Sequence, residues 1–228
     1  MEVSEILSWL ERRGTRRNRE GMARYGIVAR KAFGVTVADI RMLAKKVGRD
    51  HALAGQLWKT GWYEARMLVA FIADPARLTP AQMDRWTRDF DNWAVCDTLC
   101  FHLYDRSPHA WKKVSAWSRR KEEFVRRAAF ALLAGLALHD KKAPDAPFLR
   151  ALPLIERAAP DERNFVKKGV SWALRGIGRR NPKLNAAAVK VARRLAASDS
   201  ASARWIGKDA LRELTGPVVS KALARRSG

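Results

Sequence analysis

The sequence predicts an all-α fold in which successive helices form antiparallel pairs, and three observations support it. Nearly every segment places its apolar residues at helical spacing, and no stretch alternates β-branched and polar residues as a strand does. Ala, Leu, Arg and Lys are abundant, whereas Gly and Pro are modest in number. The chain contains an internal repeat with an offset of 41 residues, formed by EEFVRRAAFALLAG at 122–135 and RNFVKKGVSWALRG at 163–176. A period of about 40 residues is typical of HEAT and armadillo solenoids. We therefore predict an α-solenoid with a concave basic face, as a single domain over residues 1–228; an irregular helical bundle is the alternative.

The predicted helices follow one another through short connectors. EVSEILSWLERRG places Ile6, Leu7 and Leu10 on one stripe and ends at Gly14. TVADIRMLAKKVG opens with a Thr and Asp capping region and closes at Gly48. The remaining helices are predicted in DHALAGQLWKTG, WYEARMLVAFIADP, AQMDRWTRDF, DNWAVCDTLC, PHAWKKVSAWSRR, KEEFVRRAAFALLAGLALHD, APFLRALPLIERAAP, DERNFVKKGVSWALRGIGRRNP, KLNAAAVKVARRLAAS, SASARWIGKDALRELTG and PVVSKALARRSG.

Positive charge is the strongest compositional signal. The chain has 45 Lys and Arg residues against 23 Asp and Glu, a formal net charge of +22. Residues 163–228 hold 16 basic and 3 acidic residues, which leaves 29 and 20 for the rest of the chain. Such an excess favours a polyanionic partner: nucleic acid, ribosomal RNA or an anionic membrane surface. Because many basic residues lie on predicted amphipathic helices, we favour nucleic acid.

Several other classes of protein are disfavoured. No apolar run approaches the roughly 20 residues of a membrane span, and the N-terminus does not resemble a secretory signal, so we expect a cytoplasmic protein of bacterial style. Cys96 and Cys100, at helical i,i+4 spacing, are expected to be small buried side chains. With His102 they are poorly spaced for zinc and have no fourth ligand. Walker, GxGxxG, GxSxG and HExxH motifs are all missing, so we predict no cofactor and no metal.

Two groups of residues stand out as candidate functional sites. Trp93 and Asp97 in DNWAVCDTLC share one helical face, and the ordinary alternative is a core tryptophan with a solvated or capping aspartate. A second set interleaves an indole with cations on one face, which suits contact with phosphates and with sugar or base; its members are Lys168, Trp172, Arg175 and Arg179. Here the alternative is a core Trp172 with the basic residues at its rim.

Further basic residues extend the second set. Arg127 holds the equivalent position in the preceding repeat, with a solvated helix charge as the alternative. Arg204, Lys208 and Arg212 form another stripe, which we interpret as general phosphate contacts or solvent-facing charge.

The chain resembles the AlkD-like DNA alkylation repair proteins, a helical-repeat family of bacterial DNA glycosylases. The resemblance covers most of the chain and rests on four blocks in the family's order and at comparable spacing: YGIVARKAFGVTVADIR, DNWAVCDTLC, EEFVRRAAF and RNFVKKGVSWALR. It implies hydrolysis of the N-glycosidic bond of N3- or N7-alkylated purines in duplex DNA, without base flipping. A monomer is expected separately, because a solenoid of this kind has no need to dimerise.

The resemblance also implies site residues. Trp93 and Asp97 correspond to the tryptophan and catalytic aspartate of the family's active cleft, and Arg127 to a supporting arginine. Trp172 and Arg175 correspond to a second cleft tryptophan and the arginine that follows it. Tyr25 matches the family's N-terminal cleft tyrosine if no gap is placed before Gly34. One departure is Ala94, where better-known members carry an additional aspartate.

Three rival functions remain open at this point. Some relatives bind DNA without excising bases, so a non-catalytic protein that recognises damaged or branched DNA is the first. A protein-interaction scaffold, as many helical solenoids are, is the second. Association with ribosomal RNA is the third, and it predicts a preference for RNA over DNA at physiological salt.

Overall fold

The computed structural model describes residues 1–225, and within that range every regular element is helical. These residues form fourteen α-helices and three short 3-10 helices, so the predicted all-α class is confirmed. Contacts between residues group the chain into two compact units, Met1–His109 and Ala110–Gly228. The single domain expected over residues 1–228 stays a prediction. No helix among the described residues is long and apolar enough to cross a membrane.

The first unit is organised around α5, which buries residues on most of its circumference. α5 (Tyr63–Ile72) packs against α3, α4 and α7. The other helices of the unit are α1 (Val3–Arg13), α2 (Arg16–Met22), α3 (Val37–Val47), α4 (His51–Lys59), α6 (Pro80–Arg88) and α7 (Trp93–His102), with 3-10 turns at Ala23–Tyr25, Pro75–Arg77 and Tyr104–Arg106.

The second unit is built of helix pairs in two layers. Its helices are α8 (Ala110–Trp117), α9 (Glu123–His139), α10 (Asp145–Ala158), α11 (Asn164–Gly178), α12 (Pro182–Ala196), α13 (Ala201–Leu214) and α14 (Pro217–Ala224). α8, α10 and α12 form one layer, and α9, α11 and α13 form the other. The starts of α9 and α11 reproduce the 41-residue offset of the sequence repeat. Gly207 lets α13 approach α12 closely, because a Cβ atom there would collide with the backbone of Ala192 and Ala196.

All the helices predicted from the sequence are present, and α2 was missed. The segment that forms α2 has no apolar stripe, and α2 buries none of its residues, so the periodicity carried no signal. Thr15 starts α2 by accepting a hydrogen bond from the Asn18 amide at 3.2 Å. The last three residues of the predicted terminal helix PVVSKALARRSG lie outside the described residues.

A buried carboxylate holds the loop before α3. Glu64 of α5 is 0% exposed, and it accepts hydrogen bonds from the backbone amides of Phe33, Gly34 and Val35. Three successive amides that converge on one anion form a nest, and Gly34 supplies the required turn with a φ of 84°. A side chain at Gly34 would also collide with the carbonyl oxygen of Thr15. The block KAFGV is therefore an internal anion-binding loop that fixes the chain between α2 and α3.

In the second unit, Asp161 joins the connector before α11 to two helices. Its side chain, 7% exposed, accepts hydrogen bonds from Arg163 at 2.6 Å and from Arg126 of α9 at 2.8 Å. Its backbone carbonyl accepts one from the Ser202 hydroxyl of α13 at 2.7 Å. The short connector before α11 is thereby bonded to α9 and to α13.

This network predicts a pH-dependent stability. Hydrogen bonds from Arg163, and then from Arg126, lower the pKa of Asp161 from 3.8 to about 2. Because the folded pKa lies below the unfolded one, the stabilisation is complete above about pH 4 and is lost as the pH falls towards 2. We expect Asp161→Asn to reduce the free energy of unfolding by about 2 kcal/mol at pH 7 and by much less near pH 2. Urea denaturation across this pH range measures the difference, with the exposed Asp199→Asn as control. A loss that stays constant from pH 7 to pH 2 would contradict the assignment.

Candidate nucleic-acid interface

The N-terminus of α7 is capped by the residue that directly precedes Trp93, the first candidate site residue. The buried Asn92 caps the helix, because its side-chain oxygen accepts the Val95 amide hydrogen at 3.0 Å. α7 then buries Ala94, Val95, Cys96, Leu99 and Cys100 in the core of the first unit. The remaining face of α7 carries Trp93 and Asp97, both half-buried and one turn apart.

The structure brings Tyr25 and Trp93 together. The indole Nε1–H of Trp93 donates a hydrogen bond to the backbone carbonyl of Tyr25 at 2.8 Å. This bond fixes the orientation of the Trp93 ring, and the Tyr25 side chain stays 73% exposed. Gly26, with a φ of 68°, turns the chain directly after Tyr25. Tyr25, Trp93 and Asp97 therefore belong to one neighbourhood of the first unit.

A basic segment surrounds Tyr25, and sequence reasoning overlooked it. Residues 12–31 hold eight basic residues and one acid. A cavity of about 750 Å³ there is lined by Arg16, Arg17, Arg24 and Tyr25 among others. The excess of charge in residues 163–228 drew attention to the C-terminal third, although a count over 20 residues would have revealed this segment.

A smaller cavity lies beside the N-terminus of α7. Its volume is about 220 Å³, and its walls include Arg30, Lys31 and Arg66 together with Asp91 and Asn92. Arg30 and Lys31 give this cavity positive charge, whereas Asp91 adds a carboxylate and Arg66 already donates to the carbonyl of Asp89 at 3.1 Å.

The nearby cysteines have a structural role. Cys96 and Cys100 are buried, as the sequence predicted. Burial raises the pKa of the Cys100 thiol well above its ordinary value, which disfavours the thiolate that a metal ligand or nucleophile requires. Ala94 is also buried, so it adds no group to the face of Trp93 and Asp97.

In the second unit, the basic stripe of α11 is partly neutralised by α13. Arg175 bonds Glu213 at 2.6 Å and lies 3.4 Å from Asp209, and Arg179 bonds Glu213 at 2.7 Å. Asp209 also accepts the Ser171 hydroxyl at 2.7 Å. Sequence reasoning missed the two acids, although Asp209 and Glu213 lie at i,i+4 spacing in the most basic third of the chain.

Lys168 and Trp172 complete the α11 stripe. Lys168 is exposed and forms no ion pair with any of residues 1–225, and Trp172 is half-buried. Lys168 therefore presents a full charge to solvent, whereas Arg175 and Arg179 share theirs with Glu213.

Arg127 is enclosed by α11, so it is not a solvated helix charge. It is 6% exposed, and its Nη1 donates to the carbonyl of Phe165 at 2.6 Å. The guanidinium carbon lies 6.0 Å from the centre of the Phe165 ring, and the side-chain stem passes Gly169. Lys168 holds the matching position in the next repeat and is exposed, so the two equivalent positions differ in burial.

The stripe on α13 divides into members with different roles. Arg204 turns back to the carbonyl groups of Ser198 and Asp199, at 2.9 and 2.8 Å, and so satisfies backbone acceptors just beyond the end of α12. Arg212 pairs with Asp209. Lys208 is exposed and makes no ion pair within residues 1–225, which leaves its charge available.

Comparisons with known proteins bear on what these surfaces do. A family model described as DNA alkylation repair enzyme matches residues 6–214. One similar solved structure comes from a family of proteins related to the HEAT-like repeat DNA glycosylases with affinity for branched DNA structures. It is 21% identical, with a TM-score of 0.76, and the match covers 94% of this chain and 96% of that chain. At this identity the likeness concerns the fold, and it confirms the predicted HEAT-like class. A search of curated proteins gave no match.

Proposed function

Because this chain belongs to the DNA alkylation repair enzyme family, we propose that it is a monofunctional DNA glycosylase acting on N3- and N7-alkylated purines in duplex DNA, without base flipping. The observation that carries the proposal is the face of α7 that is not packed into the core of the first unit. There, a half-buried carboxylate, Asp97, lies one turn after an indole whose ring is fixed by its bond to the Tyr25 carbonyl.

The proposed reaction needs only one carboxylate. Alkylation at N3 or N7 makes the purine cationic, so the C1′–N bond breaks with its electron pair returning to a base that leaves neutral. The sugar develops oxocarbenium character, which the negative charge of Asp97 stabilises. Water adds to C1′, and Asp97 accepts the proton that this water loses. No strong general acid is required, which fits a site without the paired acids of sugar glycosidases.

The aromatic residues suit a cationic ligand. An indole face attracts a cation by about 0.5–2 kcal/mol, depending on solvation. We propose that Trp93 provides this face beside Asp97, and that Trp172 and Tyr25 contact the DNA. We also propose that Arg127 acts by positioning α9 and α11, since its guanidinium binds the Phe165 carbonyl.

The decisive experiment is the single-turnover release of 7-methylguanine from a defined duplex by the wild-type protein. Release above the spontaneous rate supports the glycosylase. Tight binding of DNA without release favours the non-catalytic alternative described below. A protein that neither binds DNA nor releases the base would contradict both proposed functions.

The second candidate is a non-catalytic protein that recognises damaged or branched DNA. It is favoured by the similar structure from a family with affinity for branched DNA. It predicts that a four-way junction binds much more tightly than a linear duplex of the same length and salt concentration. The glycosylase proposal instead predicts that a duplex with an alkylated purine is preferred over an undamaged one.

The ion pairs of α11 and α13 predict which cations bind phosphates. We expect Lys168→Ala and Lys208→Ala each to reduce the slope of log K against log salt by about 1, because each removes a free cation. Arg175→Ala is expected to lower stability and leave the slope nearly unchanged, because Arg175 already pairs with Glu213. Fluorescence anisotropy at several NaCl concentrations measures the slopes, with the exposed Lys190→Ala on α12 as control. A slope that falls as much for Arg175→Ala as for Lys168→Ala would contradict this division.

A further inference from the structure

A groove of about 530 Å³ runs between α8 and α10 in the second unit. It lies in the layer formed by α8, α10 and α12, whereas the candidate DNA contacts Lys168 and Trp172 are carried by α11 in the other layer. None of the candidate DNA-binding residues lines it. The groove is therefore a separate surface whose function needs its own explanation.

The floor of the groove is apolar. It is formed by Trp111 and Val114 of α8 and by Ala151 and Leu154 of α10. The Trp111 ring packs edge-on against the buried Phe148, with ring centres 5.0 Å apart, which holds the floor in shape. Trp111 and Leu154 are only half-buried, so an apolar strip stays open to a partner.

The rim of the groove carries three arginines. Arg119, Arg150 and Arg157 are exposed, and none of them pairs with a carboxylate among residues 1–225. Arg150, Leu154 and Arg157 follow one another at i, i+4 and i+7, so cations and an apolar side chain share one face of α10. The groove thus combines free positive charge with an apolar floor.

The acids of α10 do not neutralise this rim, because they are engaged by α12. Asp145 accepts a hydrogen bond from the Asn181 side chain at 2.7 Å, and Glu156 pairs with Arg194 at 2.8 Å. Both carboxylates therefore belong to the contact between α10 and α12. The face towards α8 keeps its full positive charge.

We propose that this groove binds an acidic, amphipathic helical segment of a partner protein. Leu or Phe side chains of such a segment cover the floor at Trp111 and Leu154, and its Asp and Glu residues meet the arginines of the rim. The backbone of a DNA duplex satisfies only part of these features, because its phosphates bind arginines while its bases stay stacked inside the helix and do not cover an apolar floor. The combination therefore favours a peptide over duplex DNA, and the charge pattern favours an acidic peptide. A single strand whose bases stack on Trp111 is the rival occupant that the test distinguishes.

The test uses a phage-displayed library of random peptides. Peptides that bind the wild-type chain are kept, and those that also bind the double variant Arg150→Glu/Arg157→Glu are removed. The matched control is Lys190→Glu/Arg193→Glu, which makes the same change of charge at exposed residues of α12 in the same layer. Selected peptides are then synthesised with a fluorescent label, and their affinities for the three proteins are measured. Circular dichroism of each variant checks that its helical content is unchanged.

We expect the selected peptides to combine acidic residues with Leu, Phe or Trp at helical spacing. Their affinity should fall by about tenfold or more for the Arg150 and Arg157 variant and by less than about twofold for the control. Replacing the apolar residues of a peptide by Ser should abolish binding. The proposal is overturned if selection yields no such pattern or if both variants weaken binding equally through net charge. It is also overturned if a short single-stranded or duplex DNA displaces the peptides and loses affinity for Arg150→Glu/Arg157→Glu alone.

Discussion

Asp97→Asn is expected to reduce single-turnover release of 7-methylguanine by about 10²–10³-fold or more, while duplex affinity changes by less than about threefold. Asparagine keeps the shape of the side chain but removes both the negative charge and the ability to accept a proton from water. The oxocarbenium-like sugar then loses its stabilising anion. DNA binding depends on cations elsewhere, so it is largely retained.

The matched control for this variant is Asp199→Asn, which makes the same chemical change at an exposed position between α12 and α13. Its release rate should stay within about threefold of the wild type. Should Asp97→Asn retain the wild-type rate, Asp97 is not the catalytic carboxylate. If instead both variants bind DNA more tightly and release base equally, the effect is one of net charge only.

Glu64→Ala is expected to lower the free energy of unfolding by about 3–5 kcal/mol. The substitution leaves the amides of Phe33, Gly34 and Val35 without their shared acceptor, and each buried amide that loses its partner costs about 1–3 kcal/mol, part of which relaxation recovers. Glu64→Gln retains one acceptor oxygen but turns a donor towards these amides, so an intermediate loss is expected. Urea denaturation at pH 7 measures both variants.

The control for the Glu64 variants is Glu20→Ala in the same unit. Glu20 pairs with Arg16 at 2.6 Å on an exposed surface, and such a pair contributes less than about 1 kcal/mol. If Glu64→Ala does not fold, Glu64→Gln still provides the comparison. Losses of the same size at Glu64 and Glu20 would show that the nest does not stabilise the loop.

The predicted helices were recognisable because each buries an apolar stripe. A helix without such a stripe was missed. The spacing of Ile6 and Leu10 predicted α1, and both side chains are 0% exposed. α2 buries nothing, so its seven residues gave no periodic signal and only the Thr15 cap marks it. The role of Glu64 was also invisible, because a carboxylate in an apolar helix signals burial without identifying its partners.

The shared helix faces of the candidate residues were predictable from the sequence, but the ion pairs and hydrogen bonds of those residues were not. Spacing placed Trp93 and Asp97 on one face of α7, and Lys168 with Arg175 on α11. Spacing alone cannot show that Arg175 shares its charge with Glu213, since this contact joins residues 38 positions apart. The bond between the Trp93 indole and the Tyr25 carbonyl spans 68 positions and was equally hidden. Contacts of this kind depend on how helices pack, which periodicity does not specify.

The bond from Trp93 to the Tyr25 carbonyl limits what this indole is able to discriminate. An indole has a single hydrogen-bond donor and no acceptor, and here the donor is already occupied. Trp93 therefore has no polar group left with which to tell one base edge from another, and only its π face and its bulk remain. In the proposed complex with DNA, Trp93 therefore responds to the charge and shape of the nucleotide against its ring and does not distinguish base sequence.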